Sequence, residues 1–233
     1  MYKKVIAIIS SSVVACSLLV MPMVFDTKAV SAKEVGNVKF KLSEQVKYGI
    51  VKAKNFENGS KISVLHKFEN KAEVIDFVAL ANDKLNMLSS EKNFDQSFFA
   101  TTTLEKALTL KEFENFVLKY DLDIYDYKIR FVENNGTRAT ISAKPTNNSL
   151  IDQAIIIDAV GENTLVGVIA FTSNVNKDNL VNLINMKNDN SVYLVDVDSY
   201  FIGQSIKEQN DKDIVKVKAN DIYWYLEDYK LIK

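Results

Sequence analysis

One cysteine, one histidine, two prolines and seven glycines in 233 residues leave few residues for much familiar active-site chemistry. Cys16 lies in an apolar stretch near the N-terminus, so the rest of the chain has no thiol for a disulfide, a metal thiolate or a nucleophile. With His66 as the sole imidazole, a zinc site of several His or Cys ligands has no ligand set. Any Ser-His-Asp or Cys-His arrangement would have to use that one ring, and no G-x-S-x-G elbow is present to offer a serine. Neither G-x-x-x-x-G-K-[ST] nor G-x-G-x-x-G occurs, so nucleotide binding has no support and no cofactor is expected. The scarcity of Gly and Pro points to regular elements with short connections, which disfavours a loop-built active site.

The N-terminus carries an address. Lys3 and Lys4 precede the apolar segment 5–25, and Val30-Ser31-Ala32 offers the small residues of a signal-peptidase site. Three outcomes stand open: cleavage after Ala32, retention of 5–25 as a membrane anchor, or lipidation of Cys16 within the lipobox-like Val13-Val14-Ala15-Cys16. Cleavage is expected, because the apolar run continues past Cys16 to Phe25, where a lipoprotein would carry a polar tether. Each outcome puts the body of the chain outside the cytoplasm, and membrane contact is expected only through 5–25 or Cys16. Cleavage removes Lys3, Lys4, Lys28 and Asp26, taking the formal net charge from −1 to −3. That balance argues against a nucleic-acid partner. At 47% hydrophobic residues, the chain has enough apolar material for a folded body.

Residues 33–45 read as a polar tether. Asn58-Gly59 separates two strand-like runs, and Ile62, Val64, His66 and Phe68 share one face of the second. A helix follows, with Asn70 as cap, Glu73 at N3 and a stripe of Val74, Phe77, Ala81, Leu85 and Leu88, so 46–92 forms a ββα unit. "SFFATTTLE" (97–105) reads as a strand. Thr109 and Glu112 then make a capping box, Leu108 and Phe113 a hydrophobic staple, and Phe113, Phe116, Val117 and Tyr120 an apolar face. Tyr125, Tyr127, Ile129 and Phe131 alternate with Asp126, Lys128 and Arg130, as in a half-buried strand that turns at Asn135-Gly136.

The segment 147–163 offers Ser149 as a cap, Asp152 at N3 and Gly161 as a stop, but Ile155-Ile156-Ile157 favours a strand. "LVGVIAF" (165–171) has the continuous apolarity of a central strand. Asn176 is placed to cap a helix over 177–187, stapled by Val175 and Leu180, before "SVYLVDVDS" closes as a strand. A shift of 67 residues aligns Leu108, Thr109, Phe113, Phe116 and Val117 with Val175, Asn176, Leu180, Leu183 and Ile184, so two similar units are expected in one sheet with both helices on one face. The tail, 200–233, holds a strand at 213–219 and a helix capped by Asn220.

Two βαβ units with a hairpin inserted after the second strand resemble a ferredoxin-like α/β plait spanning 97–199. The fold class expected is therefore α+β, with the ββα extension before the plait and a helix after it. "GVIAFTSNVNKDNLVNLINMKNDNSVYLVDVD" is similar to the second half of subtilisin-type propeptides and inhibitors, which implies a protease-inhibitor or pro-domain role as one alternative. "TLEKALTLKEFENFVLKYDLDIYDYKIRF" resembles segments of uncharacterised exported proteins from Gram-positive anaerobes.

Few residues are candidates for chemistry. Asp196 and Asp198 end a strand, where two carboxylates can work as acid and base in a hydrolase. Asp121, Asp123 and Asp126 cluster at a helix-to-strand loop with the oxygen chemistry of a Ca²⁺ site, although the EF-hand glycine is missing. Ser89-Ser90-Glu91-Lys92 has S-x-x-K spacing without its S-D-N and K-T-G partners. In the tail, Ile222, Tyr225, Leu226 and Tyr229 should dock, leaving Tyr223 and Trp224 as an interaction surface for an envelope protein or glycan. These features lead to an expectation of a non-catalytic, exported binding or assembly module at the cell envelope.

Overall fold

The computed structural model describes residues 33–35, 38–40, 46–56, 59–90, 96–146, 149–209 and 215–232. Cys16, the apolar segment 5–25, the Val30-Ser31-Ala32 site, Asn58, Glu91 and Lys92 lie outside the described residues. The first elements are β1 (Lys33–Val35), β2 (Val38–Phe40), β3 (Gly49–Phe56), β4 (Gly59–His66) and α1 (Lys71–Ser89). The middle of the chain forms β5 (Phe98–Leu108), α2 (Leu110–Tyr120), β6 (Ile124–Val132), β7 (Arg138–Ala143), α3 (Gln153–Val160) and β8 (Thr164–Val175). The remainder forms α4 (Leu180–Lys187), β9 (Val192–Asp196), α5 (Asp198–Gln209), β10 (Val215–Ala219) and α6 (Tyr223–Asp228). The fold is mixed α+β. Among the described residues no helix is long and apolar enough to cross a membrane.

Local signals account for the helices that carry the core. Asn70 accepts from the Glu73 backbone amide, and all five residues of the α1 stripe are buried. Thr109 and Glu112 form the complete capping box of α2, while Leu108 and Phe113 are both buried in the staple. Phe113 then lies 5.4 Å, ring centre to ring centre, from both Tyr127 and Phe171. Aromatic contacts of this kind fix a helix's seat on a sheet more tightly than area alone.

Five strands form the main sheet in the order β7-β6-β8-β5-β9, every neighbouring pair antiparallel. The expected strands are thus in one sheet, with β8 at its centre. Phe113, Phe116 and Val117 of α2 and Leu183 and Met186 of α4 enter one apolar cluster, so the two helices cover the same face. Ile156 and Val160 of α3 join them.

The other face mixes polar residues with Ile169, Ala170 and Leu194, and the chain's ends cover it. β10 pairs in parallel with β4 in a second sheet of order β10-β4-β3, so the N-terminal hairpin and the C-terminal strand build one layer. Thr101 of β5 donates to the Ala219 carbonyl, and α6 packs beyond it. Ile202 and Ile206 of α5 fill the gap against Ile62, Val64, Val217 and Ala219.

Several expectations give way. Residues 33–35 and 38–40 pair as a small antiparallel ribbon where a tether was expected. The helix over 153–160 is capped by Asp152, which accepts from the Ile155 amide, while the Ser149 hydroxyl bonds the Ile151 carbonyl. Helix α4 starts at Leu180 instead of 177, because the Asn176 side chain accepts from the Asp178 and Asn179 amides and closes a turn first. β9 stops at Asp196, and residues 198–209 form a helix that the sequence pattern did not announce. Helix α6 begins at Tyr223, with Ile222 in place of Asn220 at its cap position.

Strand β6 is the main departure. Its expected solvent face, Asp126, Lys128 and Arg130, is covered by the C-terminal segment through opposite charges. Lys128 pairs with Asp221 and Lys218 with Asp126, while Arg130 reaches Glu227 at 2.5 Å. Asp126 and Arg130 are buried, so β6 is enclosed on both faces.

Candidate functional site

Three of the ionisable residues singled out from the sequence, His66, Asp196 and Asp198, meet at the junction of β4, β9, α1 and the start of α5. His66 ends β4, and the alternation that buries Ile62 and Val64 carries its ring inward too. Asp196 ends β9 and opens α5. Its Oδ1 accepts from the Asp198 amide at 2.7 Å, as helix-start carboxylates do, leaving Oδ2 to meet His66 Nε2 at 2.8 Å. Lys84, from the polar side of α1, donates to Asp198 Oδ1 at 2.5 Å.

This network is closed to solvent. The side chains of His66, Asp196 and Asp198 are 1%, 3% and 3% exposed, and only Lys84 reaches out, at 24%. Phe77 packs on the imidazole at 4.4 Å and Phe68 stacks at 6.0 Å, giving the ion pairs an apolar wall. Charges in such a setting are costly unless paired and hydrogen-bonded.

Geometry assigns the protonation state of His66. Nε2 faces a carboxylate, and Nδ1 faces the Tyr48 carbonyl at 3.2 Å, so both ring nitrogens meet acceptors. A neutral ring carries one N–H and would leave one of these contacts without a proton. The imidazolium satisfies both. Burial opposes that charge, but the hydrogen bond to Asp196 and the two nearby carboxylates outweigh it and raise the His66 pKa above its ordinary value. Burial and the neighbouring Asp196 charge push Asp198 up to about 6, although Lys84 and His66 pull the other way. In this geometry the His66 imidazolium and the Lys84 side chain each face a carboxylate.

Its chemistry is that of a clasp. Both imidazole nitrogens are engaged, and Asp196 is held through both oxygens, so neither is free to exchange a proton with a substrate in this conformation. Asp196 and Asp198, considered from the sequence as a paired acid and base, both lie beneath the surface. Lys84 was missed by the sequence reading because it stands on the polar side of a helix, where lysines are ordinarily solvated. Its only sequence signal is its place one residue before Leu85 in the buried stripe of α1.

The other candidates separate. Asp121 and Asp123 stay together at the end of α2, but Asp126 lies on the opposite sheet face, paired with Lys218. No group of three or more His, Cys, Asp or Glu suited to a metal gathers among the described residues. Ser89 and Ser90 donate to the Asn86 carbonyl at the end of α1. Tyr223 is buried against Ile169 and Ala170, so it is not part of a surface. Trp224 alone is accessible, at 36%, with the Arg130 guanidinium 3.7 Å above its ring and that of Arg138 at 4.9 Å. Tyr223 faces inward because the one-turn helix sets Ile222 and Leu226 on α1 and β9, turning its ring onto β8. Comparison with protein families, curated proteins and solved structures finds no match to this chain.

Proposed function

We propose that this chain is a non-catalytic binding or assembly module that is exported and works at the cell envelope, with an envelope protein or glycan as partner. The observation that carries the reading is the closed state of the clasp. The histidine and the two aspartates with catalytic potential are committed to one another and hold four elements together. The leader-like segment before residue 33 supports export. Trp224 supports binding, since its indole stays partly exposed while two guanidiniums lie against it.

A second reading, the inhibitor or pro-domain, is favoured by topology. Leaving out β7 and α3, the strand order β6-β8-β5-β9 with α2 and α4 on one face agrees with a ferredoxin-like plait carrying an inserted hairpin and helix. Titration against subtilisin-like proteases separates the readings; absence of inhibition at about micromolar concentration removes the second.

Sedimentation with purified cell-wall glycan tests the first reading. The protein should co-sediment, and Trp224→Ala should lower the bound fraction several-fold at unchanged melting temperature. Turnover of glycoside, ester or peptide substrates that disappears in Asp196→Asn would contradict it. That outcome would revive the carboxylate hydrolase.

A further inference from the structure

At the carboxyl end of α2, two exposed aspartates border a recess that the clasp does not use. Asp121 caps the helix in the left-handed region, at φ 48°, and Asp123 begins the approach to β6. Across from them stand Ser173 and Asn174 of β8 and Asn179 and Leu183 at the start of α4. The space admits about one water-sized sphere, enough for a single water or a partly dehydrated ion.

The oxygens here are unevenly used. The Asp121 carboxylate has no partner among the described residues. One Asp123 oxygen accepts from Asn174 Nδ2 at 3.0 Å, and the other has no partner among the described residues. Asn179 is spent on the loop, donating to the Asn174 carbonyl and accepting from the Asn176 amide.

Ser173 supplies an independent observation. It is 2% exposed, and its hydroxyl is buried without a hydrogen-bond partner. It alternates with Phe171 and Val175 on the helix-covered face of β8, and with Val175, Leu122 and Leu183 it forms the inner wall of the recess. A buried hydroxyl left unpaired costs about 1–3 kcal/mol unless something in the recess meets it.

We propose that this recess is a Ca²⁺ site, with Asp121, Asp123 and the Ser173 hydroxyl as protein ligands and water completing the shell. Ca²⁺ takes 6–8 oxygen ligands in flexible geometry, which suits a shallow site with two carboxylates better than the strict octahedron of Mg²⁺ does. The negative end of the α2 dipole adds to the attraction. The Leu180, Asn182 and Leu183 amides at the start of α4, which would oppose it, are bonded to the Asn176 and Asn179 carbonyls. Lys119, the nearest lysine in sequence, is held by Asp189. Two carboxylates and an open shell imply the weak affinity of extracellular modules, on the order of 0.1–1 mM.

Tb³⁺ tests the site in the purified protein, because it takes Ca²⁺ positions and Tyr120 and Tyr125 flank the aspartates in sequence. Saturable Tb³⁺ emission should appear, and Ca²⁺ should displace it. Asp121→Asn with Asp123→Asn should weaken binding at least about tenfold. The pair should fold normally, since asparagine tolerates the left-handed conformation at 121. Asp158→Asn on α3 should have no effect. Ser173→Ala should leave the calcium-free protein as stable as before or slightly more so, yet lose most of the Ca²⁺-induced rise in melting temperature. No saturable response up to about 10 mM Ca²⁺, or equal affinity in the Asn pair or in Ser173→Ala, would overturn the site and leave a recess for water alone.

Discussion

Asp196→Ala should lower unfolding stability by about 3–5 kcal/mol, the usual cost of leaving one member of a buried ion pair without the other. The side chain neutralises the imidazolium and also holds the first amide of α5, so its loss leaves the His66 ring and the Asp198 amide without their partner, while the Asp198 carboxylate keeps Lys84. His66 can limit the damage by shedding its proton, because burial without the carboxylate favours the neutral ring. The deficit should therefore widen as pH falls below 6.5, where neutralisation becomes harder. A double variant, His66→Leu with Asp196→Leu, should cost far less than the two single losses combined, since apolar residues of similar size remove both charges at once. Urea denaturation of the wild type, Asp196→Ala, the two leucine single variants and the double variant measures this. A loss below about 1 kcal/mol for Asp196→Ala would place the pair among ordinary surface ion pairs.

A second large loss is expected at Gly167, where no charge is involved. Its φ of 140° lies where side chains are strained, and an added Cβ would sit 2.3 Å from the Leu108 carbonyl oxygen and 2.8 Å from its carbon. Those atoms belong to backbone at the point where β5 gives way to α2, so nothing nearby yields cheaply. Gly167→Ala should cost about 3 kcal/mol or more through overpacking and backbone strain together. Gly203 is the internal control. It lies within α5 with no atom within 4 Å of an added Cβ, so Gly203→Ala should stabilise by about 0.5–1 kcal/mol. Opposite signs for one chemical change would show that close backbone approach, not glycine content, governs the effect. Equal effects at the two positions would refute it.

The sequence was legible wherever the determining interactions are local. The Asn70 cap, the Thr109–Glu112 box and the Leu108–Phe113 staple involve residues three to five apart, and each forms as read. Strand alternation likewise placed Tyr127, Ile129 and Phe131 in the apolar core, but a register shift between Ile124 and Asp126 puts Ile124 there and leaves Tyr125 beside Lys218. The alternation failed on the other side, because Asp126, Lys128 and Arg130 find their partners some 90 residues later, at Lys218, Asp221 and Glu227. The complementary order of those charges was a readable signal, although nothing local announces their pairing.

Helix α5 was obscured by Gly203 at its centre and by a narrow stripe in which only Tyr200, Ile202 and Ile206 are buried apolar residues. The clasp was illegible for the same reason as the covered face of β6. His66 and Asp196 are 130 positions apart, and their meeting depends on the hairpin being layered onto the sheet. Each residue was identifiable as unusual on its own, but the partnership was not.

Linkage makes that partnership measurable. His66 has a folded pKa above its ordinary 6.5, so its contribution is complete below 6.5 and is lost as pH rises through the folded value. Asp198 is raised from 3.8 to about 6, so the native state takes up that proton before the unfolded chain does and gains stability as pH falls from 6 towards 3.8. Asp189 and Asp221 are held below the ordinary value by their lysines despite burial, and what they contribute is lost as pH falls below 3.8. Stability should therefore peak at about pH 4–5, on the acid side of the usual range.

Nitrogen and carbon chemical shifts of the His66 ring, followed by NMR from pH 4 to pH 9, test the charged clasp most directly, since no other histidine contributes a signal. The account predicts a ring protonated on both nitrogens at pH 6.5, with a midpoint above that value which falls in Asp196→Asn. A single neutral tautomer at pH 6.5, or a midpoint unchanged by Asp196→Asn, would contradict it.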